Sequence, residues 1–213
     1  MKTKLPKILA AALLAACCTQ AGATLISKND AVFGANSITY DSATGIEWLD
    51  LTLSTNKSYN FVSSQFGSGG MYEGFRYATH AELNQLELDF GFTLINSTTY
   101  VTGNGVPAYN FLSMLGNTRP QTNGSANPFT DGLVSGAEVM VVGGVCYVDG
   151  RCDGSASDQG HAFSRGTYGT SYASNDVGSF LVRAGDVPEP GSLALSGIAL
   201  AGLFAARRKK KQA

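Results

Sequence analysis

The sequence predicts a single compact α+β domain, residues 24–186, between an N-terminal signal peptide (1–23) and a C-terminal segment (187–213) with a short transmembrane helix. Three observations carry that expectation. Apolar residues in the body switch between two-residue and helical spacing, as strands and helices mixed in one chain require. No repeat of about 20–50 residues is visible, which sets aside solenoids and propellers. With 213 residues, 44% of them apolar, the chain is long enough to bury one core and too apolar to be disordered.

The formal charge of −1 conceals an uneven distribution. Lys2, Lys4, Lys7, Arg207, Arg208, Lys209, Lys210 and Lys211 sit at the two ends, whereas the stretch from Thr24 to Pro190 holds seven basic residues and all 16 acidic ones, a net −9. A body that acidic excludes a nucleic-acid partner, which requires a basic face.

At the N-terminus, basic Met1–Lys7, apolar Ile8–Ala16 and the small-x-small triplet Ala21-Gly22-Ala23 have the layout of a Sec signal peptide cut after Ala23. Leu14-Ala15-Ala16-Cys17 offers the rival outcome, a lipidated Cys17. Cleavage after Ala23 leaves Cys146 and Cys152 as an even pair; lipidation strands Cys18 as a free thiol in an oxidising compartment.

The body opens with β-prone Ser37–Tyr40 and Ile46–Leu51 around a polar turn, a hairpin in which Trp48 serves as a core anchor. Ser58 caps a short helix that places Tyr59, Val62 and Phe66 on one face. Thr79-His80-Ala81-Glu82 reads as a capping box for a helix running to about Phe90, with Leu83, Leu86 and Phe90 inward and Gly91 closing it. Gly103–Asp131 is polar apart from one helix, Pro107–Leu115, stopped by Gly116; the remainder reads as a long surface loop of the kind that carries function. Strands follow at Glu138–Val142, His161–Arg165 and Ser179–Arg183. Between them, Cys146–Cys152 fits a hairpin with Gly150 at the left-handed loop position, which sets Cys146 opposite Cys152 and favours a disulfide in an exported protein.

The pattern of chemistry-bearing residues is sparse. No cysteine–histidine spacing suggests zinc, no Gly-x-Ser-x-Gly elbow is present, and no residue stands out as catalytic. His80, at a helix start, reads as a solvated residue. Arg76, flanked by Phe75 and Tyr77, is expected to pair with a carboxylate beneath the long loop. Asp149, Asp153 and Asp158 share one Gly/Ser-rich loop, and Asn175-Asp176 precede the last strand. Such hard oxygen ligands could hold calcium, though acidic turns of this composition are ordinarily just solvated.

Two resemblances add to this reading. Gly45–Asp50, Ser58–Phe66 and the run from Gly74 through Glu82-Leu83 resemble a bacterial surface domain grouped with C-type-lectin-like folds, over residues 37–183. That resemblance implies a role for Asn175-Asp176 in calcium and sugar binding. At the C-terminus, Val187-Pro188-Glu189-Pro190 precedes apolar Ser192–Ala206, about 22 Å long as a helix, and basic Arg207–Lys211. This arrangement is similar to the PEP-CTERM sorting signal of Gram-negative bacteria. It implies Sec export, an inner-membrane-tethered precursor, processing by an exosortase, and an association with extracellular polysaccharide and biofilm. The expectation is therefore an exported surface or matrix protein without a cofactor, a non-enzymatic structural module or binder of a saccharide or protein ligand. A secreted hydrolase acting on extracellular polymer is the alternative.

Overall fold

A computed structural model describes residues 23–119, 127–145 and 158–185. The signal peptide as far as Gly22, the Cys146–Cys152 pair with Asp149 and Asp153, and the sorting segment with its apolar Ser192–Ala206 all lie outside those residues. Among the described residues, no helix is long and apolar enough to cross a membrane.

The expected hairpin forms between β2 (Gly34–Asp41) and β3 (Ile46–Leu49), with Ile38 opposite Leu49 and Thr39 opposite Trp48. The Asp41 carboxylate ties the turn by accepting from the Ala43 N–H and the Thr44 hydroxyl. An unanticipated strand, β1 (Leu25–Asp30), pairs antiparallel with β2. Its sequence, Leu-Ile-Ser-Lys-Asn-Asp, shows little apolar patterning because it is a largely exposed edge strand. With β4 (Arg76–Tyr77) and β10 (Leu181–Ala184), these make a five-stranded sheet ordered β1-β2-β3-β10-β4.

The second sheet runs β5-β8-β7-β6-β9, from β5 (Ser97–Val101), β6 (Phe129–Leu133), β7 (Glu138–Val145), β8 (Gln159–Thr167) and β9 (Val177–Ser179). Its pairs are antiparallel except β6–β9. β7 lies at its centre and is buried on both faces. Met140 and Val142 enter one core, with Trp48, Leu83, Leu86 and Phe111; Val139 and Val141 enter another, with Ile38, Leu49, Tyr77 and Leu181. That double burial explains its near-continuous apolar run.

The expected final strand, Ser179–Arg183, is in fact two. The chain leaves the second sheet after Ser179 and joins the first at Leu181, with Phe180 at the crossing. The Phe180 N–H donates to the Leu133 carbonyl (2.9 Å), and its carbonyl accepts from Ala78 (2.8 Å). Its ring is buried edge-on against Trp48 and Phe111, so one side chain joins both sheets to the helical core.

The described residues also hold three α-helices: α1 (Tyr59–Ser64), α2 (His80–Asp89) and α3 (Gly105–Leu115). Ser58 caps α1, and the Thr79–Glu82 capping box opens α2 as anticipated. Arg76 does pair with a carboxylate, but with that same Glu82 (2.5 and 2.8 Å) rather than with one under the long loop. Gly116 ends α3 at φ +87°, and a Cβ there would lie 2.2 Å from Asp50 Oδ1.

The long surface loop is shorter than expected. Asn104 is buried and holds the start of α3 by accepting from Thr93 and donating to the Leu94 carbonyl. At the other end, residues 129–133 form a strand. Val145 pairs with Gln159, and the hairpin expected at Cys146–Cys152 falls between them, outside the described residues.

Candidate ligand-binding face

Strand register sets the site. Phe129, Gly143 and His161 lie opposite one another across β6, β7 and β8, and Asp131, Val141 and Phe163 form the adjoining row on the same face. Towards Leu133, Val139 and Val177 that face is covered by the second core. At the Phe129 end it keeps partly exposed aromatic and guanidinium groups.

The aromatic row crosses four strands. Tyr100 of β5 stacks on His161 at 4.0 Å between centroids, and His161 meets Phe129 at 5.6 Å. Gly143 supplies the space between them: a Cβ there would lie 2.0 Å from Phe129 Cδ1. Gly143→Ala should displace the Phe129 ring and cost about 1–2 kcal/mol by overpacking. Urea unfolding of the variant checks the cost, and an unchanged midpoint would show that the ring moves freely. The Arg119 guanidinium lies over Phe129, 5.2 Å from the ring centre.

The charged centre is Asp131, 1% exposed. Its Oδ2 receives Arg165 (3.1 Å) and Arg119 (3.4 Å), and its N–H donates to Thr118 Oγ1 (2.9 Å). Burial holds its carboxyl above the ordinary range against the two arginines, and the nearby Asp176 carboxylate adds to the rise. Thr118 also donates to the Asp176 carbonyl (2.8 Å), which fixes the start of β9 beside the cluster. Arg119 and Arg165 each keep about a third of their side-chain surface in water.

Two acceptors here are buried without a partner among the described residues: Asp131 Oδ1 and His161 Nε2. The imidazole tautomer follows from its other nitrogen. His161 Nδ1 lies 3.2 Å from the Thr98 carbonyl, which can only accept, so Nδ1 carries the hydrogen and Nε2 the lone pair. Burial lowers the His161 pKa and keeps the ring neutral near pH 7.

Of the residues singled out by sequence, Asn175 and Asp176 do precede a strand and are exposed, and Asp176 belongs to this cluster. Asp158 is buried at the foot of β8 rather than solvated. β7 and β6 separate β8 from β9, a spacing of about 14 Å across the sheet, so Asp158 and Asp176 do not converge. Among the described residues no group of three or more His, Cys, Asp and Glu is placed to hold a metal ion. His80 is not simply solvated: it bridges Glu138 (3.1 Å) and Asn96 (3.0 Å). The sequence reading missed Asp131, Arg119, Arg165, Tyr100 and Phe129. The alternation Phe129, Asp131, Leu133 was the available signal, hidden inside a stretch that reads as loop.

Comparison with protein families matches residues 186–209 to the PEP-CTERM protein-sorting motif. The chain therefore carries the sorting signal of an exosortase substrate, and its motif marks an exported protein whose precursor is membrane-anchored and sorted to the cell surface. No curated protein and no solved structure matches the chain.

Proposed function

We propose that the body is a non-enzymatic saccharide-binding module, displayed at the cell surface or in its polysaccharide matrix after exosortase sorting. The observation that carries the reading is the Phe129 end of the second sheet, where an aromatic stack adjoins partly exposed guanidinium donors and two acceptors unmet among the described residues. Sugars present apolar C–H faces and hydroxyls that both donate and accept, which is what such a face complements. The likeness of residues 37–183 to lectin-like surface domains points the same way.

The module works without calcium in this reading, because Arg119 and Arg165 already supply the positive charge beside Asp131 and Asp176. The mature protein, with both ends processed, is expected to bind extracellular polysaccharide from the producing cells equally well with and without EDTA. Loss of binding in EDTA that calcium restores would reinstate a metal site at Asn175-Asp176. Turnover of the polymer, read as new reducing ends, would replace the binding module with a hydrolase.

A further inference from the structure

Resting on the saccharide-binding reading of this face, we infer that its ligand is a neutral glycan, recognised by hydroxyl donation onto Asp131 and His161 while a sugar ring packs on Tyr100. Charge argues first. The cluster sets Arg119 and Arg165 against Asp131, with the Asp176 carboxylate nearby, so its formal charges cancel, and it sits within the Thr24–Pro190 stretch of net −9. An acidic polymer gains nothing from approaching it and is repelled by the remainder of the body.

Hydrogen-bond balance argues second, and independently. The groups left unmet here among the described residues are acceptors: Asp131 Oδ1, on a residue 1% exposed, and His161 Nε2, on one 5% exposed. A carboxylate or sulfate brings only more acceptors, whereas a sugar hydroxyl brings the missing hydrogen. An unmet buried acceptor is costly, so a ligand that supplies the donor recovers that cost on binding. Arg119 and Arg165 both bind Asp131 through Oδ2, which leaves Oδ1 without a donor among the described residues, and each remains partly in solvent, where its other N–H groups can meet the sugar's oxygens. Tyr100 is stacked on His161 through one ring face and is partly exposed, so its other face is the one available to a sugar ring.

The test is titration calorimetry of the mature protein with a panel of neutral gluco-, manno- and galacto-oligosaccharides and with oligogalacturonate. The inference expects binding within the neutral panel and none of the oligogalacturonate at the same concentration. Asp131→Asn should weaken binding about tenfold or more: the arginines retain the amide oxygen, and the NH2 then turns an acceptor into a donor. His161→Phe removes the other acceptor but keeps a ring against Tyr100 and Phe129, and should weaken binding comparably. If Asp131→Asn fails to fold, as near-ultraviolet dichroism would reveal, His161→Phe and Tyr100→Ala carry the test. Preference for oligogalacturonate, strengthened by Asp131→Asn, would overturn the neutral ligand and leave the binding module standing. Absence of binding to either set would overturn both.

Discussion

Replacing Glu87 with Gln is expected to flatten the stability of the body between pH 5 and 8, where the wild type loses several kcal/mol. Glu87 lies on α2 between Leu86 and Leu88, wholly buried, with neither carboxyl oxygen partnered among the described residues. Burial alone drives its pKa up to about 8 from the ordinary 4.5. A raised acid stabilises nothing at high pH. Below 4.5 the carboxyl is protonated in folded and unfolded chains alike and no penalty exists. Above that, the unfolded chain releases its proton while the folded one must hold it, at a cost growing by about 1.4 kcal/mol per pH unit. The penalty saturates near pH 8 at about 4–5 kcal/mol, a large share of the stability of an ordinary domain. Glutamine has the same shape and no proton to hold, so urea unfolding should show the variant overtaking the wild type as pH rises. Other carboxyls with shifted values titrate in both proteins, so the difference between the two curves isolates Glu87. Parallel curves from pH 5 to 8 would mean that the carboxyl reaches water in the folded state.

Glu87 also marks where sequence reasoning runs out. Leu83, Leu86 and Phe90 were legible as the inward stripe of α2, and residue 87, four after Leu83, falls on that stripe by the same spacing. Its charge argued for solvent, and the packing overrode it. Caps and turns were legible because they are local: Ser58, Thr79 with Glu82, Gly116 and the β2–β3 hairpin each follow from a few adjacent residues. Pairings between distant segments were not. Nothing in Val177–Ser179 announces a parallel partner at Asp131–Leu133, yet that pairing brings Asp176 to Asp131. Arg119 and Arg165 join them from segments 46 residues apart, and no local pattern records the convergence. The sorting signal was legible in full because its chemistry is linear: a short motif, an apolar run and a basic end.

The second large effect is expected at Arg183. Its Nη2 meets Asp30 at 2.7 Å and its Nε meets Glu47 at 2.8 Å, while Lys28 takes the other Glu47 oxygen and the guanidinium lies 4.6 Å from the centre of the Phe75 ring. The carboxylate side chains are 8% and 6% exposed, so neither has water to fall back on. Burial alone would raise both pKa values. For Asp30, the backbone N–H groups of Val32 and Phe33 together with Arg183 hold the carboxyl below its ordinary range; for Glu47, Lys28 and Arg183 do so. Arg183→Met keeps an unbranched stem against Phe75 and removes the fork. It leaves Asp30 with backbone donors only and Glu47 with Lys28 only. Removing one partner of a buried pair costs about 3–5 kcal/mol; with about a third of Arg183 in water, about 2–4 kcal/mol is the expected loss at pH 7. The sign of the pH dependence is opposite to that of Glu87. Depressed carboxyls stabilise the fold above their unfolded values and lose that stabilisation as pH falls through their folded ones. The gap between wild type and variant should therefore narrow in acid, and a gap that persists there would assign the loss to packing on Phe75 instead. Because Arg183 joins β10 to β1, the last and first strands of the body, its loss should open both ends together. In limited proteolysis of the mature variant at pH 7, cuts near residue 30 and near residue 183 should appear at the same rate. Cutting at only one end would show that the two strands are held independently.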